Sequence, residues 1–332
     1  MKFTLTVSLL VVLGFSMCRK PAVYFYNEGF IYGTIYHIVY ESPKGNDLHE
    51  RVKAKLNEYN RIFSTFDSTS TISRVNNNRP VKPEELFITC FERSMEISKL
   101  TGGAFDITAG PMVNAWGFGP EHRSRMTPEK IDSLKEITGY RKVRLENGKI
   151  IKESPHMKLD MSAVAKGFTC DLIAKFLAEN GCENYMIEIG GEVVAKGVNE
   201  KGRTWTIGIS KPDETAFFGS DDIQAKVKLS NQALATSGNY RNFYVEDGKK
   251  YAHTIDPQTG YPVQHSLLSA TVLSDNCMDA DAFATAFMVL GLEKSIEIAA
   301  NVPELKVYFI YAAGSEDNQF YMSENFKEHL SD

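Results

Sequence analysis

The segment Asp279-Ala280-Asp281-Ala282-Phe283-Ala284-Thr285-Ala286 begins a helix that the sequence predicts over residues 278–290, with Gly291 at its end. A helix that is apolar on nearly all sides is buried within a fold. Acidic residues in the first turn complement the helix dipole, which explains Asp279 well. The helix dipole explains Asp281 less well, because the alanines and phenylalanines around Asp281 predict a buried position. Asp281 therefore indicates a function as well as a fold.

A divalent cation is the function that this carboxylate suggests. Asp281 and Thr285 are four residues apart, so both project from one face of the helix and offer a carboxylate and a hydroxyl oxygen to a hard cation. Two ligands are too few for a dedicated cage. Mg²⁺ accepts such a partial site when substrate phosphates and water complete its octahedron.

The surrounding pattern sets the fold class. Apolar spacing and capping residues predict helices over 48–63, 83–100 and 163–180, and a shorter helix that begins at Pro128. Asn147-Gly148 accepts the positive φ values of a tight type I′ turn and predicts a hairpin. Extended segments are predicted over 31–40, 186–189, 192–198, 204–209, 224–229, 243–246 and 267–273. This order lacks a regular β-α alternation, so we predict an α+β fold: a mixed, largely antiparallel sheet with packed helices.

Length and charge narrow the possible functions. A chain of 332 residues fits one large domain or two closely joined ones. The net charge of −5 and the lack of a Lys/Arg cluster argue against nucleic-acid binding.

The N-terminus indicates export. A cationic start and an apolar run over residues 1–17 are typical of a signal peptide, and the run is shorter than the roughly 20 residues that span a bilayer. Cys18 directly follows and resembles a lipoprotein processing site, although Phe15 and Met17 depart from its usual pattern. We expect a tether over 18–30, a catalytic domain over 31–332, and a lipid anchor on Cys18 at the outer, periplasmic face of the inner membrane.

The remaining cysteines give no metal signature. They are widely spaced, without the close pairs that ligate zinc, and are expected to be core residues: Cys90, Cys170, Cys182 and Cys277. A disulfide between Cys170 and Cys182 is an open alternative in an oxidising compartment.

Two segments suit a nucleotide. In Gly102-Gly103-Ala104-Phe105-Asp106-Ile107-Thr108, the glycines allow close backbone approach and Asp106 can accept hydrogen bonds from an amino group such as that of adenine. A helix C-cap and an Asx turn also explain this segment. Asp160-Met161-Ser162-Ala163-Val164-Ala165-Lys166-Gly167 crosses from strand to helix, where free N–H groups favour a phosphate and Lys166 adds charge. The alternative is Ser162 as a simple N-cap.

A third region combines Thr236-Ser237-Gly238-Asn239-Tyr240-Arg241 with the stretch from His253 to Gly260. His253 and Asp256 can orient a proton-transfer group or hold a nucleotide. A structural histidine beside a well-capped turn is the alternative.

Taken in order, these segments resemble the FAD:protein FMN transferases, the ApbE family. The similarity spans roughly residues 33–285, and the ordered set is specific although each part alone is weak. It is carried by Tyr32-Gly33-Thr34, Phe63-Ser64-Thr65-Phe66-Asp67, Ser70-Thr71-Ile72-Ser73-Arg74-Val75-Asn76, the Gly102 and Asp160 segments, Ile189-Gly190-Gly191, Thr236 to Tyr240, His253 to Gly260, and Ala280 to Thr285. Two departures are Tyr32, where methionine is frequent, and Asn239, where aspartate is common.

The resemblance implies a T-fold-like core with FAD, as substrate, lying across the sheet. Asp106 would lie near the adenine and Lys166 near the phosphates, while Tyr32 and Ile72 would help to enclose the molecule. The other residues that it places at FAD are Ala104, Phe105, Ser162, Ser237, Gly238 and His253.

The metal and the reaction are also implied by the resemblance. Mg²⁺ would be held by Asp281, Thr285 and the backbone carbonyl of Ala163. A Ser or Thr hydroxyl of an acceptor protein would attack the FMN phosphorus and AMP would leave, with His253 and Asp281 as catalytic residues. The acceptor in this family is typically a flavin-carrying subunit of a membrane redox complex.

Three alternatives remain at this level. Water could replace the acceptor hydroxyl, which gives a Mg²⁺-dependent FAD pyrophosphatase. An exported flavin-binding lipoprotein without catalysis is the second, and a generic secreted α+β binding domain is the third. The Asp281 and Thr285 pair favours an enzyme, because simple flavin binding needs no metal pair.

Overall fold

A computed structural model describes residues 23–119, 122–212, 222–240, 243–246, 248–314 and 318–331. The predicted signal peptide and Cys18 lie outside these ranges. Within the ranges, no helix combines the length and the apolar character that crossing a bilayer requires.

Strands make up much of the described chain. They are β1 (Val23–Ile31), β2 (Thr34–Ser42), β3 (Val143–Glu146), β4 (Lys149–Lys152), β5 (Tyr185–Ile189), β6 (Glu192–Lys196), β7 (Trp205–Ser210), β8 (Ile223–Leu229), β9 (Gln232–Gly238), β10 (Phe243–Glu246), β11 (Lys249–Ala252), β12 (Leu267–Ser274), β13 (Lys306–Tyr311), β14 (Gln319–Met322) and β15 (Leu330–Ser331). An eight-stranded sheet has the order β1-β2-β5-β6-β9-β12-β13-β14, and smaller sheets are β15-β8-β7, β10-β11 and β3-β4.

The helices are α1 (His49–Phe63), α2 (Thr71–Asn76), α3 (Glu85–Leu100), α4 (Gly110–Ala115), α5 (Pro128–Glu136), α6 (Ser162–Glu179), α7 (Cys277–Leu290) and α8 (Leu292–Ala300). Every strand pair of the large sheet is antiparallel. The predicted α+β fold with a largely antiparallel sheet is therefore confirmed.

The large sheet is covered on both faces. The face of Ala233 and Ala235 packs against α6 and α7, while Leu234, which points to the opposite face, packs with Trp205 and Val227 of the three-stranded sheet. Because successive residues of a strand point to opposite faces, one strand can serve both layers. This arrangement buries α7 in the middle of the fold: ten of its fourteen residues are buried.

Helices α6 and α7 touch at Gly167. A Cβ at this position would lie 2.2 Å from the carbonyl oxygen of Cys277 and 2.8 Å from the Cβ of Asp281. Only glycine lets the two backbones approach so closely. The contact sets the distance between the start of α6 and the acidic first turns of α7.

Side chains from two other helices hold the N-terminus of α7. The carboxylate of Asp171, on α6, accepts hydrogen bonds from the N–H groups of Cys277 and Met278 at 2.8 and 2.9 Å. Arg93, on α3, donates two hydrogen bonds to Asp279 at 2.7 and 2.8 Å. The Asp171 contacts satisfy N–H groups that a helix N-terminus leaves unpaired, and both sets of contacts fix α7, one to α6 and the other to α3.

Local sequence signals place most of these elements correctly. Thr127 caps α5, whose first residue is Pro128, and the Asn147-Gly148 turn has the positive φ angles of 51° and 70° that the predicted hairpin needs. Cys170 and Cys182 are both free and buried, so the disulfide that the sequence left open is not formed in this structure.

The N-terminal region differs from expectation. The segment predicted as one strand over 31–40 is interrupted at Tyr32-Gly33, which turn with φ angles of 53° and 76°. Residues 23–30, predicted as part of a tether, form β1, which pairs along its whole length with β2. The aromatic and β-branched run concealed this turn, because Tyr32 is not a typical turn residue.

We predict that Gly167→Ala destabilises the protein by about 1–3 kcal/mol or more, the usual cost of an overpacked core, because the new methyl group meets the Cys277 backbone. Urea unfolding measures the loss. Gly208→Ala is the control, since its Cβ would meet only the Ile223 side chain, at 3.3 Å or more. Equal stability of the two variants would contradict the proposed contact.

Candidate active site

A cavity of about 510 Å³ opens where the start of α6, the length of α7 and the end of β9 meet. Its size lies within the range of small-molecule sites. Loops around Asp106, Gly190 and Ile255 complete its wall. The cavity thus gathers segments that are far apart in sequence.

Most of the residues singled out from the sequence line this cavity. They are Ala104, Phe105, Asp106, Ser162, Ala163, Lys166, Ser237, Gly238, His253, Asp281 and Thr285. The fold therefore brings the predicted nucleotide and metal residues into one place.

Tyr32 and Ile72 do not line the cavity. Ile72 is fully buried in the core around α2. The Tyr32 hydroxyl is hydrogen-bonded to the Thr169 hydroxyl at 3.0 Å, and burial raises the pKa of Tyr32. Both side chains act in packing here, and their contact with FAD remains a prediction.

The two proposed metal ligands face the cavity from consecutive turns of α7. Asp281 is 2% exposed, and its Oδ2 accepts a hydrogen bond from the Gly167 N–H at 3.0 Å. The Thr285 hydroxyl lies 3.4 Å from that of Ser237. Burial raises the pKa of Asp281, while the Lys166 ammonium and the Gly167 N–H oppose that shift.

Lys166 extends from α6 between two carboxylates. Its Nζ lies 2.9 Å from Oε1 of Glu192 and 3.8 Å from Oδ1 of Asp281. Burial lowers the pKa of Lys166, but the two carboxylates outweigh burial and raise it, so the amine stays charged. A fixed positive charge therefore lies beside the proposed metal ligands.

The donor atoms suit a hard divalent cation. Asp281 and Thr285 carry oxygen atoms of the kind that would ligate such a cation, and the Ala163 backbone lies at the same cavity wall. Within the described ranges, no group of three or more His, Cys, Asp or Glu side chains is placed to hold a metal by itself. The arrangement fits Mg²⁺ that shares its coordination with a phosphate substrate.

Asp106 has structural hydrogen bonds as well as a place in the cavity. Its Oδ1 accepts from the Thr108 N–H and hydroxyl at 2.8 and 2.6 Å, and its Oδ2 accepts from the Tyr140 N–H at 2.7 Å. The Asx turn considered from the sequence is therefore present. Burial raises the pKa of Asp106, and these hydrogen bonds oppose the shift.

The start of α6 is open toward the cavity. Ser162 is the first residue of the helix and makes no side-chain capping bond, so it is not the N-cap that the alternative required. Asp160 instead accepts a hydrogen bond from the Ser162 N–H at 2.9 Å. The N–H groups of Val164 and Ala165 are bonded to the Met161 carbonyl at 3.0 and 2.8 Å. The positive end of the helix dipole still favours a phosphate here, and Lys166 on the next turn adds a full charge.

His253 lies at the cavity edge and makes an edge contact with Phe118, with ring centroids 6.3 Å apart. Asp256 is used locally: its carboxylate accepts from the Gln258 N–H at 2.8 Å, and its carbonyl accepts from the Gly260 N–H at 2.8 Å. Asp256 therefore caps a local turn, which is the structural alternative given for this segment. His253 remains a candidate catalytic residue because it lines the cavity.

Sequence reasoning missed several residues of the cavity. Glu192 follows the Gly190-Gly191 pair and is an acid in front of three apolar residues of a strand. That pattern is a sequence signal by which Glu192 could have been found. Asp160 was quoted without a role. Met288 and Val289 line the cavity from the far end of α7, and nothing local distinguishes them from core residues.

Asp171, which is half-buried on α6, is a further carboxylate near the start of α7. Burial raises the pKa of Asp171 from its ordinary 3.8 to about 7, although the Cys277 and Met278 N–H groups oppose the shift. Asp279 and Asp281 raise it further through repulsion.

Comparisons with known proteins identify the family. The sequence profile of the ApbE family matches residues 32–309. The FAD:protein FMN transferase of Haemophilus influenzae is 38% identical over 319 residues, which cover 92% of this chain and 91% of that protein. The Vibrio cholerae enzyme of the same name is 37% identical, with 98% of this chain and 97% of that protein covered.

Solved structures give the same result. The flavin transferase ApbE from Vibrio cholerae superposes with a TM-score of 0.83 at 36% identity and covers 93% of this chain and all of that chain. The apo flavinyl transferase ApbE of Pseudomonas stutzeri has a TM-score of 0.82 at 29% identity, over 93% of this chain and 97% of that one. The fold is therefore that of the flavin transferases. The chain belongs to the ApbE family, as the sequence motifs indicated.

We predict that Asp171 makes the protein less stable as pH rises. Its pKa is higher in the folded chain than in the unfolded one, so between about pH 4 and pH 7 the folded state binds more protons and the free energy of unfolding falls. Asp171→Asn cannot ionise and should show a flatter decline. Urea unfolding of wild type and Asp171→Asn between about pH 4 and pH 7 measures the free energy of unfolding. Asp132→Asn is the control, because Asp132 is exposed. Parallel curves for wild type and Asp171→Asn would rule out the shift.

Proposed function

We propose that this chain transfers FMN from FAD to a Ser or Thr hydroxyl of an acceptor protein, releases AMP and requires Mg²⁺. The observation that carries the proposal is the cavity shared by Asp281, Thr285 and Lys166. Membership of the ApbE family supports FAD as substrate and a protein as acceptor.

The charges of the cavity suit a pyrophosphate. The Lys166 ammonium and the positive end of the α6 dipole offer positive potential to the two phosphates. Asp281, Thr285 and the Ala163 carbonyl would hold Mg²⁺, which would neutralise phosphate charge and favour attack at phosphorus. The residues of this chain thereby orient the diester and keep it beside the attacking hydroxyl.

The transfer is a substitution at the FMN phosphorus. A bond forms between the acceptor oxygen and the FMN phosphorus, and the bond from that phosphorus to the bridging oxygen of AMP breaks. His253, at the cavity edge, is the side chain proposed to take the hydroxyl proton or to hold the phosphate. The negative charge that leaves with AMP is the charge that Lys166 is placed to stabilise.

The cellular setting is proposed from the sequence. Residues 1–17 have the features of a signal peptide, and Cys18 is the proposed lipid attachment site. The described part of the chain begins with β1 at Val23, five residues after Cys18, so an anchor at Cys18 would keep the cavity near the periplasmic face of the inner membrane. A flavin-carrying subunit of a membrane redox complex is the proposed acceptor.

We predict that Asp281→Ala lowers the rate of FMN transfer by about a hundredfold or more, because it removes the only carboxylate among the proposed cation ligands. Incubation with FAD, Mg²⁺ and a candidate acceptor peptide, followed by mass measurement of the peptide, gives the rate. A chelator should abolish transfer by the wild type.

Asp275→Ala is the matched control, since Asp275 is an exposed aspartate just before α7. Undiminished transfer by Asp281→Ala would refute the cation site. Release of FMN and AMP at the same rate without peptide would instead support the pyrophosphatase, and FAD binding without turnover would support the flavin-binding lipoprotein.

A further inference from the structure

Glu192 is a buried acid of the cavity to which the proposed reaction assigns no role. It is the first residue of β6, directly after the Gly190-Gly191 turn, and is 4% exposed. The next residues of the strand, Val193 and Val194, are apolar. A buried carboxylate costs free energy unless it is paired, so a packing role alone does not explain an acid here.

Of the two carboxylate oxygens of Glu192, one is hydrogen-bonded among the described residues. Its Oε1 accepts a hydrogen bond from Lys166 at 2.9 Å. Its Oε2 is buried and has no hydrogen-bond partner among the described residues. Burial raises the pKa of Glu192, and the Lys166 ammonium opposes that shift. Lys166 is therefore the group that stabilises the charge of Glu192.

The same lysine also forms a long ion pair with the proposed metal ligand. Its Nζ is 3.8 Å from Oδ1 of Asp281, which is longer than a hydrogen bond. Oδ2 of Asp281 is bound to the Gly167 N–H. Oδ1 is thus the atom of Asp281 that a cation would approach, and Lys166 is the competitor within reach.

The scaffold keeps Lys166 and Glu192 together. Cys170, one turn beyond Lys166 on α6, donates from its Sγ to the Glu192 backbone carbonyl at 3.4 Å. Glu192 is also paired with Ile189 across the β5-β6 hairpin. The backbone of Glu192 is therefore fixed beside α6, while the lysine has a flexible four-carbon stem.

We propose that Glu192 is a positioning residue of the cation site: it holds the Lys166 ammonium away from Asp281 and so leaves Oδ1 open to a divalent cation. Without the charge of Glu192, the nearest carboxylate for Lys166 is Asp281, and the ammonium would occupy the place of the metal. This inference rests on the proposed cation site at Asp281 and Thr285.

The first measurement is cation binding without turnover. Purified Glu192→Gln is titrated with Mn²⁺, and free Mn²⁺ is followed by electron paramagnetic resonance. We expect affinity to fall by about 10–100-fold, the usual effect of losing a group that orients a metal ligand. The Mg²⁺ concentration for half-maximal FMN transfer should rise by a similar factor, whereas the rate at saturating Mg²⁺ should change less.

A double-variant cycle separates this role from simple structural support. In the Lys166→Met background no ammonium competes for Asp281, so adding Glu192→Gln should change Mn²⁺ affinity little. The same loss of affinity in both backgrounds would overturn the proposal. Because binding is measured on folded protein, low transfer activity of the Lys166 variants does not affect this comparison.

Two further variants complete the test. Glu183→Gln removes a comparable surface pair, since Glu183 lies 3.3 Å from Lys196, and should bind Mn²⁺ like the wild type. Asp281→Ala should lose binding. If Asp281→Ala binds normally, the cation site itself fails. If Asp281→Ala loses binding but Glu192→Gln matches the wild type, only the role of Glu192 fails.

Discussion

The close contact of α6 with α7 at Gly167 is the constraint on which the site depends. It leaves no room for a side chain, and it brings the Gly167 N–H to the carboxylate of Asp281. Helix α6, which carries Lys166 and begins at the cavity wall, is thereby fixed against the helix that carries the proposed metal ligands. A wider helix separation would move these groups apart, since neither backbone is flexible at this point.

Charged side chains are concentrated where α6 meets α7, and their burial costs folding free energy. Two buried carboxylates, those of Glu192 and Asp281, lie beside a single lysine, Lys166. Buried ion pairs seldom add to stability, because the loss of hydration exceeds the attraction. Asp171 has a structural use as the cap of α7. The arrangement of Glu192, Lys166 and Asp281 is better explained by binding a cation and a phosphate than by folding.

The sheet provides the rigid base for this chemistry. Strands β6 and β9 place Glu192 and Ser237 at its centre, and loops at the strand ends add Asp106 and His253. Sites built on strands and helices hold their geometry better than sites on loops alone. The loop residues are in turn held by local hydrogen bonds, as in the turn that Asp106 makes with Thr108.

The sequence alone determined the features that depend on neighbours along the chain. Apolar periodicity located α6 and α7, the Asn147-Gly148 pair fixed a hairpin, and the spacing of Asp281 and Thr285 put both on one helix face. Only the tertiary structure decided that β1 and β2 form a hairpin, that Ile72 belongs to the core and that Glu192 holds Lys166. The hairpin was missed because its turn uses Tyr32, which is not a typical turn residue. The other contacts join residues that are not neighbours in sequence, as with Gly167 and Asp281, 114 positions apart, and no local pattern records them.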